Sequence, residues 1–242
     1  MEVITSLDNK RIKNFSKLLQ KKYRDEENKF LVEGEHLVEE AFKAGVLLEV
    51  VKCVDYEREF EVPTTYVTYD VIKKLSNTLA PQKVMGVCKK MNSSEIGDKV
   101  LILDDLQDPG NLGTIIRSSV AFNSDTIILS ENSVDLYNDK VLRASEGMIF
   151  HVNIIRKNLV DVILDLHKKG YVIYGTKVDG GEELKNIKVS SKVGLVMGNE
   201  GSGVKKDILN LCDKYLYIPM NGICESLNVG VATSIILYEL FK

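Results

Sequence analysis

The chain has few of the residues that hold metals or cross-links. Its four cysteines, Cys53, Cys88, Cys212 and Cys224, form no C-x-x-C pair, which argues against both a zinc knuckle and a disulfide framework. The three histidines, His36, His151 and His167, are equally scattered, so no metal site is expected. No apolar run reaches the length of a membrane span; even 231–240 is interrupted by Thr233, Ser234 and Glu239. The opening Met-Glu-Val-Ile-Thr-Ser-Leu-Asp lacks the basic-then-apolar layout of a signal peptide. These absences predict a cytoplasmic, metal-free protein with no membrane partner. Two nucleotide signatures are also missing: the turn Gly198-Asn-Glu-Gly-Ser-Gly203 has neither the G-x-G-x-x-G order of a dinucleotide site nor the Lys-Ser/Thr pair of a P-loop.

At 242 residues the chain suffices for one large domain or two modest ones. The net charge of −3 would argue against nucleic acid if it were evenly spread. It is not. Residues 10–24 carry Lys10, Arg11, Lys13, Lys17, Lys21, Lys22 and Arg24 and no acid, while Ile12, Phe15, Leu18 and Leu19 fall at helical spacing. A helix over 10–24 is predicted, its cationic remainder serving either as a solvated face or as a phosphate-contacting arm.

Strand and helix patterns then alternate. Strands at 30–33, 47–54, 66–69 and 84–88, with helices at 35–44 and 71–75, imply a small α/β domain. The polar, breaker-rich stretch 91–98 lies between two strand patterns and marks a domain boundary. Beyond it we expect strands at 100–103, 126–129, 148–155, 171–178, 193–197 and 215–218. Helices are expected at 112–122, 134–144, 159–169, 204–211 and 227–241. The closing helix is apolar on almost every side, which predicts burial against the sheet or a second subunit.

Three constellations sit where strands run into turns, and open α/β sheets bind ligands at such carboxyl ends. The glycine-rich turn 198–203 lets a backbone approach a ligand closely, or serves only as a tight strand-to-helix connection. In Asp108-Pro-Gly-Asn-Leu-Gly-Thr-Ile-Ile-Arg117, Asn111 falls where a helix N-cap would. Arg117 lies in an otherwise apolar segment, so it is expected either to pair with an acid such as Glu200 or to face a functional cleft. Glu225-Ser226-Leu227-Asn228 opens the last helix with Ser226 as its cap and Asn228 in the first turn.

Together these residues resemble the three signature motifs of the SpoU/TrmH-type RNA ribose methyltransferases of the SPOUT superfamily. The likeness is carried by Asn111 to Arg117, by Met197-Gly-Asn-Glu-Gly-Ser-Gly203, and by Ile218-Pro-Met…Glu-Ser-Leu-Asn-Val229; Arg143-Ala-Ser-Glu-Gly147 resembles the intervening segment. It covers 99–242 in detail. More loosely, Phe30-Leu-Val-Glu-Gly34 and Ala80-Pro-Gln82 resemble an L30e-like RNA-binding domain, giving 1–92 as that domain, 93–98 as linker and 99–242 as the methyltransferase domain.

The resemblance implies an α/β fold whose C-terminal parallel-sheet domain carries a trefoil knot. It also implies an S-adenosylmethionine cofactor, a homodimer, and methylation of a ribose 2′-hydroxyl in structured RNA, with ribosomal favoured over transfer RNA. Carried over position by position, Asn111, Arg117, Glu200, Ser226 and Asn228 would form the active site. Thr176, Met197, Gly198, Asn199, Gly201, Ile218, Met220 and Leu227 would contact the cofactor. The seven cations of 10–24 would contact RNA. Arg117 would be either a transiently deprotonated base or a cation that orients the target phosphate. A transfer-RNA methyltransferase and a noncatalytic RNA-binding protein of the same fold are the alternatives. A base methyltransferase fits the Glu-Ser-Leu-Asn signature less well, and a nicotinamide oxidoreductase would need the missing G-x-G-x-x-G.

Overall fold

A computed structural model describes residues 2–178 and 180–241. It contains two compact units, Met1–Asn92 with Asp135–Phe150, and Ser93–Val134 with His151–Lys242. The segment Asp135–Phe150 therefore packs with the first unit although it lies within the second half of the sequence.

The first unit runs β1 (Val3–Ile4), α1 (Lys10–Lys17), α2 (Lys21–Glu27), β2 (Lys29–Glu33), α3 (Glu35–Lys43), β3 (Leu47–Cys53), β4 (Thr64–Val67), α4 (Tyr69–Leu75) and β5 (Val84–Lys89). Its five-stranded sheet has the order β1-β4-β3-β5-β2, with β2 and β3 antiparallel to β5. Ile12 and Phe15 of α1 pack with Leu31, Val51, Val71, Ile72 and Met85 in one apolar core, the stripe that the helical spacing predicts.

The helix expected over 10–24 is broken in two. The Arg24 guanidinium donates to the carbonyls of Leu18 and Leu19, each at 2.8 Å, and so consumes acceptors that a continuous helix would give to its own amides. Arg24 is buried and also donates to Asp135 at 2.5 Å, which corrects its expected place on a solvent-facing cationic arm.

The second unit begins with β6 (Lys99–Leu103), α5 (Pro109–Ala121) and β7 (Thr126–Leu129). The chain then forms α6 (Asp139–Ala144) in the first unit and returns through β8 (Asn153–Arg156), α7 (Leu159–Lys168), β9 (Val172–Thr176), β10 (Glu182–Glu183), β11 (Val193–Met197), α8 (Lys206–Leu209), β12 (Lys214–Tyr217) and α9 (Val229–Phe241). The seven strands are all parallel, in the order β10-β12-β9-β11-β6-β7-β8. Val100, Ile102, Ile173 and Val196 meet α7 in one core, while the alternate residues Leu101, Leu103 and Leu195 are fully buried too. Burial on both faces is why these strands read as unbroken apolar runs.

Two expected elements begin about five residues later than predicted. The helix at 134–144 begins only at Asp139, because the Asn138 side chain accepts from the Lys140 amide and caps it there. The strand at 148–155 starts only at Asn153. Glu146 and Gly147 take left-handed backbone angles, φ 48° and 78°, and Met148–His151 winds into a 3-10 turn instead.

Candidate active site

Because β12, β9, β11 and β6 are neighbours in one parallel sheet, the turns that leave their carboxyl ends lie side by side. The turn after β11 is the tightest. Asn199 and Gly203 exchange backbone hydrogen bonds at 2.9 and 3.0 Å, and the Asn199 side-chain oxygen accepts from the amides of Gly201 and Ser202. A Cβ on Gly198 would lie 2.0 Å from the Gly203 carbonyl carbon, so only glycine permits this closure. The Asn199 amide also donates to the Asp105 carbonyl at 2.9 Å and ties the turn to the loop after β6.

That loop delivers α5. Its N-cap is Asp108, whose carboxylate accepts from the Asn111 amide at 2.8 Å, with Pro109 in the first turn. The expectation that Asn111 is the cap is corrected. With its backbone served by Asp108, the Asn111 side chain is released to donate to Glu200 Oε1 at 3.1 Å and accept from Asn228 Nδ2 at 2.9 Å. Asn228, not Ser226, caps α9, accepting from Gly230 and Val231 at 2.9 and 3.2 Å.

Glu200 accepts further from the amides of Asp108 at 2.8 Å and Gln107 at 3.2 Å. Burial pushes its carboxyl pKa up, but the hydrogen bonds from the Asp108 amide, its own backbone, Asn111 and the Gln107 amide outweigh that and hold it below the ordinary value. Glu200 is thus satisfied by the α5 turn, and the alternative that pairs it with Arg117 is corrected. Arg117 is exposed and makes no ion pair or hydrogen bond among the described residues. Six residues beyond Asn111, it projects about 120° around the helix axis from it. The structure therefore joins Asn111, Glu200 and Asn228 in one cluster, puts Ser226 on the rim of the adjoining cleft, and leaves Arg117 apart.

The cleft has a volume of about 630 Å³. Thr176, Met197, Gly198, Asn199, Gly201, Ile218, Met220 and Leu227 all line it, together with Glu200 and Ser226. Its apolar floor comes from Val204, Leu209, Leu216 and Ile236. Lys177 also lines the cleft, and neither it nor the floor residues belong to a motif in the sequence; the Gln107 and Asp108 amides carry no residue signal at all, being backbone donors. No group of three or more His, Cys, Asp or Glu among the described residues could hold a metal ion.

Elsewhere, Lys10, Arg11, Lys13, Lys17, Lys21 and Lys22 remain on the surface of the first unit. Arg11 pairs with Glu49 at 2.8 Å, Lys13 with Asp8 at 2.9 Å and Lys21 with Asp25 at 2.8 Å.

A parallel sheet with a backbone-lined cleft at adjoining turns, next to a fixed carboxylate–amide cluster, matches a family of known enzymes. The chain belongs to the SpoU rRNA Methylase family, which its residues 98–238 match; residues 9–86 match the MRM3-like substrate binding domain. It is similar to the 23S rRNA (guanosine(2553)-2′-O)-methyltransferase RlmP of Bacillus subtilis (strain 168), 37% identical over 246 residues that cover 99% of each chain. Among solved structures, it is similar to an rRNA methyltransferase from Sinorhizobium meliloti, also known with AdoMet bound. The TM-score is 0.87 at 30% identity, over 98% of this chain and 96% of that one. The SpoU methyltransferase AviRb from Streptomyces viridochromogenes, in complex with AdoMet, gives a TM-score of 0.84 at 26% identity over 96% of each chain.

Proposed function

We propose that this chain transfers a methyl group from S-adenosylmethionine to a ribose 2′-hydroxyl in ribosomal RNA, a 23S guanosine as in the name of the B. subtilis relative. The observation that carries the reading is that Glu200 belongs at once to the cleft lining and to the Asn111–Asn228 cluster. A cofactor held in the cleft would thus abut fixed polar groups. The cleft fits such a ligand: its volume lies in the range of cofactor sites, and its walls are mostly main chain and apolar side chains, with Lys177 the single cation among the lining residues. The Met197–Gly203 turn and the segment 217–220 would hold the nucleoside, with Leu209, Leu216 and Ile236 against the base.

The cofactor supplies an electrophilic methyl group on a sulfonium. What the chain must add is position, and fixing two reactants in line contributes about 7–11 kcal/mol. Ser226 and the amide cluster would orient the hydroxyl, whose proton would leave to water as the O–methyl bond forms and the methyl–sulfur bond breaks. Arg117 is exposed and has no ion pair or hydrogen bond among the described residues, so of its two roles we favour the cation that orients the target phosphate and stabilises developing negative charge.

We further propose that the first unit is an L30e-like substrate-binding domain that takes structured RNA, and that the seven-stranded unit is threaded as a trefoil knot. On α9, Val231, Ile235 and Tyr238 are exposed at helical spacing, and we assign this apolar stripe to a homodimer interface. A ribosomal substrate implies the cytoplasm.

Transfer of labelled methyl groups from S-adenosylmethionine to total RNA from a strain lacking the gene tests the reading. Label is expected in large-subunit ribosomal RNA as a 2′-O-methylated nucleotide. Label confined to transfer RNA, or to a base, contradicts it. Arg117→Ala should abolish transfer and leave cofactor affinity within about twofold, with Arg117→Lys recovering part of the rate. Retained turnover in Arg117→Ala would remove Arg117 from the mechanism.

A further inference from the structure

Four non-glycine residues among those described take a left-handed backbone, and three of them stop helices: Asn28 after α2, Asn123 after α5 and Glu146 after α6. The fourth is Asp105, at φ 52°, which lies just past the carboxyl end of β6 on the way to α5. Glycine adopts this conformation without strain, whereas a side chain persists in it only where its surroundings hold it there. Here the side chain does the holding. The Asp105 amide donates to Ser130 Oγ at 2.9 Å, and the same hydroxyl donates back to the Asp105 carboxylate at 2.7 Å. Lys205 Nζ donates to the other carboxylate oxygen. Burial pushes the Asp105 carboxyl pKa up, but the bonds from Lys205 and Ser130 outweigh that and hold it below its ordinary value.

The Asp105 carbonyl shows what this backbone serves. It accepts from Asn199 Nδ2 at 2.9 Å and from Gln107 Nε2 at 3.0 Å. Asn199 is the residue whose side-chain oxygen gathers the Gly201 and Ser202 amides, and the Gln107 amide donates to Glu200 at 3.2 Å. One carbonyl is thus shared by the turn after β11 and the turn that opens α5. Lys205 closes the loop of contacts, since it follows the glycine-rich turn directly and its amide donates to the buried Asp104 carboxylate at 2.8 Å. Neither Asp105 nor Lys205 lines the cleft, so any effect they have on a ligand there runs through the turn. A glycine at 105 would meet the backbone's need, and what aspartate adds is the link to Lys205 and Ser130. We infer that Asp105 is a positioning residue for the cofactor turn, its carboxylate fixing a strained backbone in the conformation that offers one carbonyl to both Asn199 and Gln107. The inference rests on the cofactor reading of the cleft given above.

The test compares full-length wild type with Asp105→Gly, Asp105→Ala, Asp105→Asn, Lys205→Met and the double variant Asp105→Asn/Lys205→Met. Affinity for S-adenosylmethionine by calorimetry, KM for the cofactor, kcat at saturating cofactor and Tm are measured. Asp105→Gly and Asp105→Ala should both weaken cofactor binding roughly tenfold, the size of one lost charge-assisted hydrogen bond. Their cofactor KM should rise by more than kcat falls. Asp105→Gly should nevertheless melt at a higher temperature than Asp105→Ala, because only alanine retains the backbone strain. Asp105→Asn and Lys205→Met, which keep the fold if the glycine variant does not, should each lose affinity, and the double variant should lose no more than the worse of the two. Wild-type affinity in Asp105→Gly or Asp105→Asn overturns the inference, and so do losses that add in the double variant or a lower Tm for Asp105→Gly than for Asp105→Ala. Absence of S-adenosylmethionine binding in wild type would sink the reading of the cleft and the inference with it, whereas binding that the variants leave unchanged would sink the inference alone.

Discussion

Four groups hold the Glu200 carboxylate: the amides of Gln107 and Asp108 and the side chains of Asn111 and Asn199. A carboxyl whose pKa is lowered on folding contributes stability that is present above its unfolded value and lost as pH falls through the lowered one. This share of the stability should therefore hold from pH 7 down to about pH 5 and decline only below the usual carboxylate range in urea unfolding; a decline already near pH 6 would implicate another group. Glu200→Gln keeps the shape but weakens these charge-assisted bonds, and should lower kcat at pH 7 by roughly tenfold or more. Gly198→Ala is harsher, since the new Cβ would overlap the Gly203 carbonyl and force the turn open. Titration calorimetry should show at least a tenfold loss of cofactor affinity; wild-type binding would mean that the turn is not the cradle. The identities of Asn111, Glu200 and Asn228 are legible in the motifs, but which residues cap α5 and α9 is not: the sequence points to Asn111 and Ser226, where the structure has Asp108 and Asn228. Asp, Asn and Ser all serve as N-caps, and only the geometry shows which side chain reaches the amide.

At the scale of elements, α1 and α2 show what periodicity misses. Seven cations and an apolar stripe predict one helix, yet Arg24 turns inward to serve two carbonyls and Asp135. The sequence alone cannot announce this, because the acid that accepts Arg24 lies 111 residues away. Arg24→Ala should destabilise the first unit by about 3 kcal/mol, as removing one partner of a buried ion pair does, whereas Lys17→Ala should change stability by less than about 0.5 kcal/mol. Urea unfolding distinguishes them, and equal effects would contradict the placement of Arg24. The other helix of note, α9, was legible as apolar all round, and most of that surface is indeed buried. Ser234 meets Ser118 of α5 at 2.7 Å and Tyr238 meets Phe122 edge-on at 5.5 Å. Val231, Ile235 and Tyr238 retain an exposed flank. If α9 forms the proposed homodimer interface, Ile235→Asp should lower the mass found by sedimentation to that of a monomer, and an unchanged mass would refute that proposal.

Across the whole molecule, the parallel sheet was readable from strands that are apolar throughout and alternate with helices. Its strand order was not. Placing β11 between β6 and β9 depends on pairing across nearly a hundred residues, and no local pattern encodes that. The inclusion of Asp135–Phe150 in the first unit is similarly long-range, fixed by Arg24 on Asp135 and by the Phe30 and Tyr137 rings 4.4 Å apart. The glycine-rich turns, by contrast, fell at strand ends in the sequence and do so in the fold.

Mapping of 2′-O-methyl groups across ribosomal RNA tests the central claim most directly, in cells with the gene, without it, and with Asn111→Ala restored in its place. One large-subunit guanosine should be methylated in the first case, unmethylated in the second and strongly undermethylated in the third. An identical methylation map in all three would contradict the assignment of this cleft to ribose methylation of ribosomal RNA.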